Sequence, residues 1–286
     1  MTFFYHTFNN KPDCINKPGQ FTERAYCKKN LYLFLKKITN NVDTYIPSRF
    51  NEGYGLSEKA VENIININPD LVITVDAGIK DVKGVSILKK RGIQIIITDH
   101  HVPDPDEKPD ANIVVSTWDW DDQKMILPLS GAGVALALAQ EYAIFRGMTV
   151  SPFEEFIALA CIGTVGDVVP LLDENRVIVK YGLKKINQNP GCGLQALLEV
   201  VGFNNKDIQS EQIGYIIAPR LNAAGRVEDP RVAFELLISN NYHYALQQAK
   251  LLNEYNLKRQ KEEARIFSSL FDDQRNQESM KNDIVV

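Results

Sequence analysis

The sequence predicts an α/β fold: a parallel sheet flanked by helices, followed by a mostly helical segment. Two runs rich in Ile and Val, at 71–75 and 93–97, are separated by one amphipathic stretch that begins at Asp81 and ends at Gly92. This β-α-β order makes the two strands parallel, and near-continuous apolar runs indicate helices on both faces of the sheet. After Ser130, long amphipathic segments dominate the chain, which predicts helices there.

The first part of the chain divides into an irregular terminus and an α/β part. Residues 1–29 are rich in Asn, Lys, Pro and Phe without a helical or strand period, so we expect them to be irregular or poorly ordered. A helix is predicted from Asn30, a short strand at 42–46, a helix capped by Ser57, and a further strand at 113–116. The predicted divisions are 1–29, an α/β part at 30–125, a helical part at 126–270 and a fraying polar tail at 271–286.

The helical part contains seven amphipathic segments. They are predicted at 133–146, 153–164, 173–187, 193–201, 210–218, 230–239 and 242–269. We expect them to pack with the α/β part as one unit.

Composition limits the function classes. The formal net charge of −4 does not indicate a nucleic-acid binder, so any such role requires a local basic patch. The four cysteines form no CxxC pair or zinc spacing, which favours a reducing cytoplasm. No apolar run is long enough to span a membrane and no signal-peptide core is visible, so we expect a cytoplasmic protein without a membrane partner.

Two neighbouring strands end in side chains that bind metals. Asp76 follows the strand at 71–75, and Asp99, His100 and His101 follow the strand at 93–97. Ligands gather beyond the carboxyl ends of strands in an open parallel sheet, so these side chains can converge. Carboxylate and imidazole groups suit Mn²⁺, Mg²⁺ or another first-row ion, which would lower the pKa of bound water. One strand-end aspartate alone is more often a helix cap or a loop hydrogen bond; the cluster is not.

A further acidic candidate is Asp167. It follows the apolar helix predicted at 153–164 and a run of small residues, and a carboxylate in such surroundings is costly unless it is paired or bound to a metal. The alternative is a helix-terminal turn held by Asp167.

Candidate phosphate contacts come from three further segments. Ser130 and Gly131 open a helix whose free backbone N–H groups are suited to a phosphate, although many helices begin after glycine. The segment 219–226 places Arg220 and Arg226 around a tight turn at Asn222 and Gly225, and Arg49 is a third arginine candidate in the loop 47–55. Guanidinium groups match phosphate oxygens, but exposed arginines need no function.

These motifs resemble a known family, the DHH phosphoesterases. Asp99-His100-His101 is similar to the family signature, the turn at 75–78 to its second motif, and the segment 163–171 to its fourth. The segments 46–56, 130–134 and 219–226 resemble the RecJ-like branch, the single-strand-specific exonucleases. The resemblance covers residues from about 30 to about 265.

The resemblance implies a metal-dependent 5′ to 3′ exonuclease that degrades single-stranded DNA in repair and recombination, with Mn²⁺ or Mg²⁺ as cofactor. It implies that Asp76, His100 and Asp167 are metal ligands. It implies that His101 holds the scissile phosphate or assists the leaving group, and that Asp99 is a ligand or orients an imidazole. The implied substrate contacts are Arg49, Ser130, Gly131, Arg220, Asn222 and Arg226.

The sequence departs from the family in two places. The Asp-x-Asp-Gly motif expected shortly before residue 31 is missing, since 21–29 contains no acidic pair, and the apolar strand before it is also missing. We also expect the second lobe of the family, with its Gly-Gly-His motif, to be absent. A diverged relative and a frameshifted or truncated reading both fit this pattern, and we expect strongly reduced or absent activity.

Two other functions stay open. One is a non-catalytic protein that binds single-stranded nucleic acid or acts as a scaffold. The other is a DHH phosphodiesterase acting on short oligonucleotides or cyclic dinucleotides. A fragment that does not fold alone is also consistent with the lost strand.

Overall fold

The computed structural model describes residues 2–6, 25–47, 52–53, 55–149, 151–203, 207–227 and 231–272. Its strands are β1 Thr2–His6, β2 Val42–Tyr45, β3 Leu71–Val75, β4 Gln94–Asp99, β5 Ile113–Ser116, β6 Trp118–Asp119 and β7 Lys124–Met125. The helices of the α/β part are α1 Ala25–Ile38, α2 Glu58–Ile67 and α3 Val82–Lys90. The remaining helices are α4 Gly131–Phe145, α5 Pro152–Gly166, α6 Asp173–Gln188, α7 Gly191–Val200, α8 Ser210–Gln212, α9 Ala218–Val227, α10 Arg231–Ile238 and α11 Tyr242–Asp272, with a π-helical segment at Ile213–Ile217 between α8 and α9.

The main sheet has the strand order β2-β1-β3-β4-β5. Strands β3, β4 and β5 are parallel neighbours, which confirms the predicted fold class. Asp76 and Asp99 therefore lie at the same edge of the sheet, because carboxyl ends of parallel strands meet there. Helices follow from α4 onward, as the sequence predicted.

Strand β1 corrects the expectation that residues 1–29 contribute no regular structure and that the first strand is lost. Thr2–His6 lies between β2 and β3 and is antiparallel to both. The run Thr-Phe-Phe-Tyr-His is β-branched and aromatic, so it suits a strand, and it pairs backbone groups of β2 and β3 that would otherwise form open edges. Five residues beside an Asn- and Lys-rich stretch are too few to show a period.

The sheet is covered on both faces. Ile73 and Val75 belong to a large core built with α1, α4, α5 and the later helices. Val72, Ile95 and Ile97 belong to a smaller core built with α2 and α3. This alternation along the strands confirms that helices lie on both sides of the sheet.

Helix boundaries largely match the sequence signals. The Ser57 hydroxyl accepts a hydrogen bond from the backbone N–H of Ala60 at 3.2 Å, which confirms the predicted cap of α2. The segment 219–226 is different: it lies within α9, not in a tight turn. Leu221, Ala223 and Ala224 are buried on its inner face, so packing favours the helix despite Asn222 and Gly225.

No helix in the described part of the chain combines the length and hydropathy needed to cross a membrane.

Candidate metal centre

The turn after β3 places Asp76 at the centre of the candidate site. Asp76 has a φ of 62°, in the left-handed region that aspartate tolerates better than most residues. Its backbone N–H donates to the Thr98 carbonyl at 2.9 Å, which joins the turn to β4. The Thr74 hydroxyl donates to the Ala77 carbonyl at 2.7 Å and closes the turn. The backbone therefore fixes the direction in which Asp76 leaves the sheet.

The three predicted metal ligands converge. The Nε2 atom of His100 lies 3.0 Å from Oδ1 of Asp76 and 3.8 Å from Oδ2 of Asp167. Asp76, His100 and His101 each offer a ligand atom, and these atoms lie within 4.8 Å of one another. The side chain of Asp167 is only 1% exposed, so its carboxylate enters the site from the protein interior. Carboxylate and imidazole donors gathered in this way suit a divalent cation.

Asp167 reaches the site from the end of α5. It is the residue that follows Gly166, the last residue of the helix, and its backbone N–H donates to the Gly163 carbonyl at 2.9 Å. Val168 then adopts a φ of 56°, which is unfavourable for a β-branched residue and turns the chain sharply away. The helix end and this turn together hold Asp167 opposite His100.

Asp99 is engaged by the residues around it. Its Oδ1 atom accepts hydrogen bonds from the backbone N–H groups of His100 at 2.8 Å and His101 at 3.2 Å. Its Oδ2 atom accepts from the backbone N–H of Ile79 at 3.1 Å. These hydrogen bonds fix the backbone of the loop that carries the two histidines.

The ring of His101 is oriented by Asp99. Its Nδ1 atom lies 2.6 Å from Oδ1 of Asp99, so Nδ1 carries the proton of that hydrogen bond. The His101 side chain is 37% exposed, in contrast to the 13% of His100, so His101 is the histidine more open to solvent.

Ser130 and Gly131 lie against the site at the start of α4. The Ser130 hydroxyl accepts from the backbone N–H of Gly133 at 3.1 Å and lies 3.1 Å from the Thr164 hydroxyl. Ser130 is fully buried, so its described contacts are those of a helix cap. Gly131 lies so close to Asp76 that a Cβ atom there would clash with the carboxylate. Their roles in substrate binding stay predictions.

The predicted arginine contacts are only partly described. Arg220 donates from Nε to Asn253 Oδ1 at 2.9 Å and from a terminal nitrogen to the Ile216 carbonyl at 2.9 Å, and burial lowers its pKa. Asn222 lines a cavity that is also lined by Gly166, the residue before Asp167. Arg49 lies outside the described residues, and Arg226 is described only as part of the backbone of α9.

Sequence reasoning missed two supporting groups. The Trp118 indole N–H donates to the His100 carbonyl at 3.1 Å and so anchors the histidine loop to β6. Asp81 accepts from the backbone N–H of Leu56 at 3.0 Å, and burial raises its pKa, to which the nearby charge of Asp99 adds. For Asp81, the one sequence signal is its location five residues after Asp76. For Trp118, no local sequence pattern indicates a contact with the histidine loop.

The parallel sheet thus brings Asp76 and the Asp-His-His run to one edge, with Asp167 opposite, and this arrangement is a candidate metal site. The model of the DHH family, N-terminal domain, matches residues 27–164 of this chain.

The chain is also similar to RecJ proteins. It is 39% identical over 227 residues to the single-stranded-DNA-specific exonuclease RecJ of Bacillus subtilis, covering 79% of this chain and 28% of the relative. It is 36% identical to the protein of the same name from Haemophilus influenzae, covering 79% of this chain and 40% of that relative. The chain thus spans well under half the length of these relatives.

Two solved RecJ structures are also similar to this chain. An exonuclease RecJ bound to manganese superposes with a TM-score of 0.76 at 32% identity, covering 86% of this chain and 61% of the other. RecJ from Thermus thermophilus in complex with Mn²⁺ gives a TM-score of 0.74 at 29% identity, covering 87% of this chain and 36% of the other.

Proposed function

We propose that this chain is the core of a metal-dependent 5′ to 3′ exonuclease that hydrolyses single-stranded DNA. The observation that carries the proposal is the convergence of Asp76, His100 and Asp167 from two strand ends and one helix end. The similarity to RecJ proteins over 79% of the chain supports the substrate class.

The donor set fits Mn²⁺ or Mg²⁺. A buried carboxylate is costly unless a cation or hydrogen bonds compensate it, and Asp167 is nearly inaccessible to solvent beside an imidazole nitrogen. Asp76, His100 and Asp167 would hold the cation. When bound, such a cation polarises phosphate oxygens and lowers the pKa of a bound water. Solved RecJ structures that contain Mn²⁺ support this assignment.

The remaining residues of the site would position the substrate. Asp99 accepts from the Nδ1–H of His101 and orients the ring with Nε2 directed away from Asp99. In the proposed reaction His101 acts as an imidazolium with protons on both ring nitrogens, and its Nε2–H donates to a phosphate oxygen or gives its proton to the leaving oxygen. Asp99 acts by orienting this ring and the His100 backbone.

We further propose that this chain is impaired as an enzyme. Strand β1 runs antiparallel to β3, so Thr2 pairs with Val75 at the metal-site edge and His6 pairs with Leu71 at the far edge. The carboxyl end of β1 therefore lies at the edge away from the metal centre, and β1 itself contains no acidic residue. Loss of groups that support a metal site typically costs about 10- to 100-fold in affinity or rate.

The test is the release of mononucleotides from a 5′-phosphorylated single strand with Mn²⁺. We expect release at least ~10-fold slower than by the Bacillus subtilis relative under the same conditions, and its loss in Asp76→Ala. Release that persists in Asp76→Ala and in Asp167→Ala would contradict the proposal. Faster hydrolysis of a dinucleotide than of a long strand would favour a phosphodiesterase of short substrates.

A second candidate function is a non-catalytic protein that binds single-stranded nucleic acid. The antiparallel β1 and the missing Asp-x-Asp-Gly motif favour it. It predicts binding of single-stranded DNA with a steep salt dependence and no turnover.

The proposed location is the cytoplasm, where single-stranded DNA arises during repair. Among the described residues, Cys161 is buried and Cys192 half-buried, and both are free thiols. Free thiols fit a reducing compartment.

A further inference from the structure

A cavity lies where α5, the π-helical segment, α9 and α11 meet, beside the residue that precedes Asp167. Its volume is about 160 Å³, and its lining residues are Gly166, Gly214, Ala218, Pro219, Asn222 and Arg259. Gly166 directly precedes Asp167, so one wall of the cavity is one residue away from a proposed metal ligand. A group bound in the cavity would therefore be a near neighbour of the proposed metal site.

The only charged side chain lining this cavity, within the described part of the protein, is Arg259 of α11. One terminal nitrogen donates to Glu263 Oε1 at 2.6 Å and the other to Asn256 Oδ1 at 3.2 Å. A guanidinium has five N–H donors, so these two bonds leave three. The Nε donor is buried and has no acceptor among the described residues. A buried donor without an acceptor favours an oxyanion that can accept from it.

The surroundings of Arg259 leave it able to bind an anion. Glu263 is 55% exposed, and an ion pair so open to solvent is weak, so a phosphate can share the guanidinium. Asn253, on the same helix, accepts from Arg220, which places a second guanidinium at the contact between α9 and α11. The positive charge at this contact thus comes from both helices.

The backbone of the cavity wall is also irregular. Gly214 lies in the π-helical segment at Ile213–Ile217, which leads directly into α9. Short π-helical segments occur frequently at functional sites. A Cβ atom on Gly214 would meet the Val165 side chain at 3.7 Å, an ordinary van der Waals contact, so α5 packs against this part of the wall.

We propose that this cavity binds a phosphate group of the single-stranded substrate through the guanidinium of Arg259, next to the phosphate at the metal centre. The inference rests on the proposed function for the identity of the strand. It assigns Arg259 a contact with the substrate backbone that is independent of base identity.

The test is equilibrium binding of a 3′-labelled oligothymidylate in EDTA, measured by fluorescence anisotropy at several salt concentrations. EDTA prevents hydrolysis, so the readout is separate from catalysis. Arg259→Gln should weaken binding about 10-fold and should reduce the slope of log affinity against log salt by about 0.7, the value for one phosphate contact on a single strand. Arg265→Gln is the matched control, because Arg265 lies on the same helix in an exposed pair with Glu262.

The outcomes separate this inference from the nuclease assignment. Affinity and salt slope in Arg259→Gln equal to those of Arg265→Gln would overturn the phosphate site, even if the chain hydrolyses DNA. A second outcome is DNA binding by the wild type without Mn²⁺-dependent hydrolysis, with binding weakened in Arg259→Gln but not in Arg265→Gln. This outcome would support the phosphate site and refute the nuclease assignment. If Arg259→Gln does not fold, Arg259→Lys replaces it in the same assay. Lysine keeps the charge but loses the planar guanidinium, so we expect weaker DNA binding with an unchanged salt slope. Wild-type affinity in Arg259→Lys would overturn the phosphate site.

Discussion

Gly131 and Asp76 are in such close contact that a Cβ atom at position 131 would lie 2.6 Å from the Cβ atom of Asp76 and closer still to its carboxylate. Helix α4 therefore approaches the candidate metal ligand only because residue 131 is glycine. The Ser130–Gly131 segment, which the sequence predicts to contact a phosphate, thus also allows α4 to pack against Asp76.

This contact predicts that Gly131→Ala displaces Asp76 and lowers metal affinity. We expect Mn²⁺ to bind about 10-fold more weakly or worse, as for other losses of support around a metal ligand. Isothermal titration with Mn²⁺ measures this effect. Gly133→Ala is the control on the same helix, because its nearest neighbours, Cδ2 and Cβ of Leu129 at 3.2 and 3.3 Å, need to shift only by a few tenths of an ångström and do not belong to the metal site. Equal affinities in the two variants would show that Asp76 tolerates the added methyl group.

The pair formed by Asp99 and His101 predicts the effect of Asp99→Asn. An amide in place of the carboxylate no longer fixes the proton on Nδ1 of His101, and it accepts less strongly from the backbone of the histidine loop. We expect about 10- to 100-fold weaker Mn²⁺ binding or slower turnover with the fold retained. Circular dichroism and Mn²⁺ titration of the same sample check both parts. Wild-type behaviour in both assays would remove Asp99 from the site.

The cap contacts of Ser130 predict a stability effect. Ser130→Ala removes the acceptor for the Gly133 N–H and the partner of the Thr164 hydroxyl, so we expect about 1–2 kcal/mol less free energy of unfolding. Urea denaturation measures this loss. If Ser130→Ala weakens oligonucleotide binding while the unfolding midpoint stays at the wild-type value, Ser130 is a substrate contact rather than a cap.

Lys29 predicts a pH dependence of stability. Burial lowers the pKa of Lys29 from 10.5 to about 8, while its amino group donates to the Leu237 carbonyl. Between about pH 8 and pH 10.5 the unfolded chain therefore carries more protons at this site, and the free energy of unfolding contributed by Lys29 rises with pH. The rise across this window is on the order of 2–3 kcal/mol.

Chemical denaturation at both ends of this pH window, for wild type and Lys29→Met, isolates this contribution. We expect the stability difference between the two proteins to change in favour of wild type as the pH rises. A difference that is constant with pH would mean that Lys29 titrates in the folded protein as it does in the unfolded chain.

The sequence predicted the sheet and the approach of Asp76 to the Asp-His-His run because these depend on local patterns. Ile and Val runs that end in Asp76 and Asp99 place both acids at one sheet edge by the geometry of parallel strands alone. The approach of Asp167 to His100 depends on the packing of α5 and became expected only through the family resemblance.

Other features depend on long-range packing and left no readable signal. Strand β1 gains its position by pairing with β2 and β3, which lie far along the chain. The segment 219–226 contains Asn222 and Gly225, which favour turns, yet burial of its inner face makes it helical. Arg259 has no motif around it; its place beside Gly166 comes from the packing of α11.

The central claim is that Asp76, His100 and Asp167 share one divalent cation, and Mn²⁺ titration of the chain tests it most directly. We expect saturable binding in wild type and in His243→Ala, since His243 lies away from the site on α11, and its loss in Asp76→Ala, His100→Ala and Asp167→Ala. Mn²⁺ binding of wild-type affinity in these three site variants would contradict the account.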